Sequence, residues 1–72
     1  MRSNDRSIVD RIILLIYESD EIGIGAIKDK LGIEENALQR ILRFLADFGF
    51  VQLKRERKVR LTRLVREFLK SI

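Results

Sequence analysis

The chain has 72 residues, 46% of them hydrophobic and 36% charged, with no Cys, His or Pro and a formal net charge of +4. That length suits one domain, expected to span residues 1–72. Without Cys or His, disulfide scaffolds, Cys/His zinc centres and catalysis by a Cys or His side chain are excluded. Apolar packing must hold together a chain of a size that buries only about 60% of its unfolded surface.

The longest apolar run, Ile12 to Ile16, is far below the ~20 residues a membrane span needs. No basic, apolar and small-residue series marks a signal peptide at the start. The expectation is a soluble, cytoplasmic protein. Its charge is lopsided. Residues 1–49 carry seven Lys/Arg and nine Asp/Glu, whereas residues 50–72 carry eight and two. Seven of those cations fall between Lys54 and Arg66, which points to a polyanion met by the C-terminal third.

The predicted elements follow in chain order. Asn4, Asp5 or Ser7 can cap a first helix over about 6–19, with Ser7 and Asp10 loosely matching a capping box. Ile8, Val9, Ile12, Ile13, Leu15 and Ile16 share an arc of roughly 160°. Leu14 lies outside it, a spare side chain for a partner. Glu21 to Gly25 reads as a short extended connector with Ile22 and Ile24 on one side. Gly25 is expected to cap a helix over 26–31 that buries Ile27 and Leu31, and Gly32 to end it in the left-handed conformation.

A third helix over about 35–48 has the cleanest period. Ala37, Leu38, Ile41, Leu42, Phe44, Leu45 and Phe48 share one arc, and Asn36, Gln39, Arg40 and Arg43 lie on the other. Gly49 closes it. The period then changes to two, predicting strands over Phe50–Lys54 and Lys58–Leu61. Val51 pairs in direction with Leu53, and Val59 with Leu61. The loop Arg55-Glu56-Arg57 lacks the Gly or Asn of a tight primed turn, so a looser connection is expected. Thr62 caps a last helix over 63–71 that is expected to bury Leu64, Val65, Phe68 and Leu69, with Ile72 extending the stripe. By spacing, Phe44, Phe48, Phe50 and Phe68 are core aromatics, and Tyr17 sits at the core edge.

Two short helices across a Gly-bearing turn form a helix-turn-helix unit, and the basic hairpin behind them is then a wing. The stretch from Ile27 to Leu42 resembles winged helix-turn-helix transcription regulators. So does Leu45 to Val51, where a leucine, spacers, a glycine and a hydrophobic pair lead into the wing, and so does Val59-Arg60-Leu61-Thr62 before a helix. The resemblance covers residues 6–72 and looks most like the short stand-alone winged helices common in archaea. It implies a mainly α fold: a three-helix core, a two-stranded wing and a C-terminal helix.

The resemblance also implies double-stranded DNA as partner. The third helix would lie in the major groove, with Asn36, Gln39, Arg40 and Arg43 facing base edges. Lys54, Arg55, Arg57, Lys58 and Arg60 would meet phosphates or a minor groove, while Arg63 and Arg66 add to the field. Glu34 and Glu35 stand where related DNA binders often carry Ser, Thr, Lys or Arg, although they suit a helix N-terminus. A protein–protein module that meets a basic partner, or an RNA binder, therefore remains an alternative. A homodimer through Leu14 and the C-terminal helix is expected from the small core.

Gly23-Ile24-Gly25 lacks the third glycine and the flanking elements of a nucleotide-binding loop. The adjacent carboxylates Asp20/Glu21 and Glu34/Glu35 point different ways, so no general acid–base couple is apparent. No enzyme activity, cofactor or metal is expected.

Overall fold

The computed structural model describes residues 7–72. The candidate caps Asn4 and Asp5 and the expected first helical residue, Arg6, lie outside them. The elements are α1 (Ile8–Ser19), β1 (Glu21–Gly23), α2 (Ile24–Leu31), α3 (Glu35–Asp47), β2 (Val51–Lys54), a single 3-10 turn (Arg55–Arg57), β3 (Lys58–Leu61) and α4 (Arg63–Lys70). This is a winged helix-turn-helix: α1, α2 and α3 form the core, β2 and β3 the wing, and α4 follows.

Ser7 caps α1, its hydroxyl oxygen accepting from the Asp10 backbone N–H at 3.1 Å. The connector after α1 is a true strand. β1 pairs antiparallel with β3, Ile22 opposite Val59, and makes the sheet three-stranded in the order β1-β3-β2. The extended reading of this segment as a short strand between the first two helices holds for Glu21–Gly23, and the pairing partner is what the tertiary structure adds. The second helix begins at Ile24, with Gly23 as its N-cap, rather than at 26 behind Gly25. Gly32 ends it at φ 65°, as expected.

α3 stops at Asp47, and Phe48 is its C-cap. Gly49 takes φ 78° and donates to the Ala46 carbonyl, while the Phe50 N–H reaches back to Leu45 at 2.8 Å. This paired closure turns the chain out of the helix and straight into β2. Thr62 flanks α4, yet its hydroxyl makes no capping bond. It donates to the Gly49 carbonyl at 2.8 Å and so ties the end of β3 to the start of β2.

The core is built of Ile12 and Ile16 from α1, Ile22 from β1, Ile27 from α2, Leu38, Leu42 and Leu45 from α3, and Val51, Val59 and Leu61 from the sheet. Tyr17 and Leu31 pack at its edge. Among the described residues no polar or charged side chain is buried. Each fully buried aliphatic side chain contributes about 1.5–3 kcal/mol, so helix packing and sheet closure rest on the same ten residues.

The aromatic residues correct the sequence reading. Phe44, Phe48 and Phe68 are 55%, 62% and 64% exposed, and Phe50 is also at the surface. Leu64, expected in the core, is 77% exposed; Val65 and Leu69 alone lean on the core from α4. The reason is size. Ten small aliphatic residues already fill the interior of this short chain, and the wide apolar arcs of α3 and α4 extend beyond it.

Candidate nucleic-acid interface

α3 presents its polar side to solvent because Leu38, Leu42 and Leu45 take the opposite side into the core. Asn36, Gln39, Arg40 and Arg43 therefore border one shallow hollow of about 220 Å³ on the helix surface. All four are exposed. The side chains singled out by sequence on this helix thus share one face.

The wing reaches this face at the helix N-terminus. An Arg57 guanidinium N–H donates to Glu35 Oε2 at 2.7 Å, and the Gln39 side-chain amide donates to the same oxygen at 3.2 Å. The hydrogen bond and charge of Arg57 hold the Glu35 carboxyl below the usual carboxylate range, with smaller help from Lys28 and Gln39. Both partners are solvent-exposed, so the link orients the side chains far more than it stabilises the fold. Glu34, the N-cap of α3, makes no side-chain capping bond.

Sequence gave no sign of this link, because its two ends are 22 residues apart. Its consequence is specific. Gln39 and Arg57, both named as contact residues from sequence, are held by one carboxylate oxygen. The loop geometry serves the link: Glu56 and Arg57 take φ 62° and 56°. Left-handed backbone is expensive for non-glycine residues. The connection is the three-residue loop expected in place of a two-residue primed turn, closed by a 3-10 turn between Lys54 and its partner Lys58.

The remaining cations of the hairpin point elsewhere. Val51, Val59 and Leu61 face the core, so the alternation of a strand sends Lys54, Lys58 and Arg60 to the outer face of the sheet. There Lys54 stands opposite Lys58, and Arg60 opposite both Gln52 and Glu21. The five cations Lys54, Arg55, Arg57, Lys58 and Arg60 are consequently divided between the wing tip and the outer sheet face. Leu53 shares the inner face with Val51 but is 49% exposed, and it borders a small hollow with Ile24, Gln39, Leu42 and Arg43. This apolar contact point beside the helix face was hidden in the sequence by its alternation with Val51.

A second surface lies at the far end of α3. Phe44 and Phe48 have ring centroids 4.7 Å apart, and Phe48 and Phe50 6.1 Å. At the other side of the core, Leu14 borders a hollow with Asp10, Ile13 and Leu69, where α1 meets α4.

No protein-family model matches the chain, and no curated protein matches it. Among solved structures it is similar to the reduced form of MarR from E. coli, with a TM-score of 0.79 and 21% sequence identity. The match covers 96% of this chain and 54% of that one, so the chain spans about half the length of MarR. At that identity the likeness is one of fold, the winged helix.

Proposed function

We propose that this chain is a DNA-binding winged-helix protein that acts in transcription regulation, with residues 1–72 working as one unit. α3 enters the major groove, whose width of about 12 Å admits a helix. Asn36 and Gln39 face adenine edges, and Arg40 and Arg43 face guanine edges or phosphates. Arg55 at the wing tip binds the flanking backbone, while Arg57 is held beside it by Glu35. The observation that carries this reading is the single exposed row Asn36, Gln39, Arg40 and Arg43, with the wing tip locked beside it through Glu35. The shared fold with MarR supports it. Such a protein works where DNA is, in the cytoplasm of a prokaryotic cell; among the described residues no helix is long and apolar enough to cross a membrane.

The deciding experiment is a fluorescence-anisotropy titration with mixed-sequence duplex at about 50 and 200 mM salt, where a protein making several phosphate contacts loses affinity steeply. Arg40→Ala/Arg43→Ala is expected to lower affinity at least tenfold at the lower salt. Absence of binding at that salt rejects the reading. A duplex RNA competitor separates an RNA binder from a DNA binder.

The exposed Phe44, Phe48 and Phe50 favour a second role, docking of a protein partner against the end of α3. We further infer a homodimer in which α4 and the region of Leu14 meet their two-fold copies. α4 has no buried residue; Leu64 and Phe68 lie uncovered on it, and the exposed Ile72 follows just beyond its end. A two-fold would present two α3 helices to half-sites about one helical turn apart. Light scattering that gives a monomer mass at high micromolar concentration overturns the dimer.

A further inference from the structure

We propose that the outer face of the sheet together with α4 is a second DNA-binding surface, which takes the phosphate backbone of a duplex other than the one met by α3. The inference rests on the DNA-binding reading above and adds a separate site to it.

Two hollows carry it. One, of about 390 Å³, lies between the outer sheet face and α4 and is bordered by Arg60, Arg63, Arg66 and Lys70. The other, of about 580 Å³, runs along the wing beside Lys54, Arg55 and Lys58. Gln52 borders both, so they join into one trough. Its lining holds those seven cations against three carboxylates, Glu21, Glu56 and Glu67. The difference equals the +4 of the entire chain.

A fourth carboxylate, Asp20, pairs with Arg66 at 3.0 Å across the surface between α4 and the junction of α1 and β1. The trough shares no lining residue with the hollow of Asn36, Gln39, Arg40 and Arg43. The two surfaces meet only at Arg55, which stands at the wing tip between them.

The charges in the trough are arranged at a cost. Lys54 and Lys58 are direct cross-strand neighbours on the same face. Like charges so placed repel and destabilise the pair. A phosphate between them turns that repulsion into attraction. The cations are also strung out rather than convergent: β2 spans about 13 Å and α4 about 12 Å. A nucleic-acid strand offers one phosphate per about 3.4 Å of axis, which suits such a row better than a single small anion does. No aromatic side chain lines either hollow. Single strands are typically held by stacking on aromatic rings, so the occupant is a duplex.

A bridging experiment tests the proposal on the whole chain. A duplex of about 20 base pairs is fixed to beads and loaded with protein at about 50 mM salt, and capture of a second, fluorescent duplex is read. The wild type is expected to capture it. Lys54→Gln/Lys58→Gln/Arg60→Gln and, independently, Arg63→Gln/Lys70→Gln are expected to cut capture at least tenfold while the first duplex stays bound. None of these substitutions touches the ten core residues, and circular dichroism checks the fold of each variant.

Absence of capture by the wild type overturns the proposal. So does wild-type capture by the trough variants, which is the behaviour of a dimer bridging through two α3 faces. Displacement of the second duplex by inorganic phosphate, but not by chloride of equal ionic strength, also overturns it by assigning the trough to a single phosphate. The α3 reading fails separately, if Arg40→Ala/Arg43→Ala leaves binding of the first duplex unchanged.

Discussion

α3 and α4 have the same kind of amphipathic pattern, and the fold treats them in opposite ways. Leu38, Leu42 and Leu45 of α3 are completely enclosed by α1, α2 and the sheet, whereas α4 buries no side chain and leaves Leu64 and Phe68 largely in solvent. A period of 3.6 establishes that a helix has an apolar face. It does not establish that the protein owns enough material to cover it. In a chain this short, the third helix uses the core and the fourth stands at its margin.

The largest expected effect breaks the comparison directly. Leu42→Ala opens a cavity amid the core and is expected to cost about 2–5 kcal/mol, close to the full stability of a domain this small. Leu64→Ala is expected to stay within about 0.5 kcal/mol in the monomer. Urea unfolding of both variants at low protein concentration measures the gap. Equal losses would mean that α4 is covered even in the isolated chain. Phe68→Ser extends the comparison to assembly: it is expected to leave monomer stability nearly unchanged while shifting a dimer to monomer by light scattering.

Smaller effects concern the link between α3 and the wing. Glu35→Gln removes the charge that occupies Arg57 and frees that guanidinium for a phosphate. The slope of log affinity against log salt is expected to steepen by about 0.9, the increment for one added phosphate contact. An unchanged slope would show that Arg57 reaches no phosphate in the complex. The same carboxylate sets a pH dependence. Its folded pKa lies below the usual Glu value, so the link to Arg57 is fully present above that value. It is lost only as pH falls through the lower, folded value. An NMR titration of the Glu35 carboxyl carbon is expected to find its midpoint below the usual glutamate value.

The smallest effect comes from the loop itself. Glu56→Gly relieves a left-handed residue, at φ 62°, and is expected to raise stability by up to about 1 kcal/mol. A loss of stability in a thermal melt would indicate that the Glu56 side chain makes contacts that outweigh its backbone strain.

Much of the fold is legible in the sequence for local reasons. Ser7 caps a helix because a short hydroxyl side chain satisfies a free N–H, and Gly32 and Gly49 end helices because they tolerate positive φ. The change of period after Gly49 announces the wing, and the polar arc of α3 announces the face of Asn36, Gln39, Arg40 and Arg43. These features depend on residues only a few positions apart.

What only the tertiary structure decided depends on distant neighbours and on a finite interior. β1 joins the sheet because β3 lies beside it, and Arg57 is committed to Glu35 because the hairpin folds back over α3. The C-terminal run of positive charge is continuous along the chain, but strand alternation and the position of α4 divide it between the wing tip and the outer sheet face. The phenylalanines are hydrophobic in any reading. Whether they are buried was decided by volume, because ten aliphatic side chains had already filled the core.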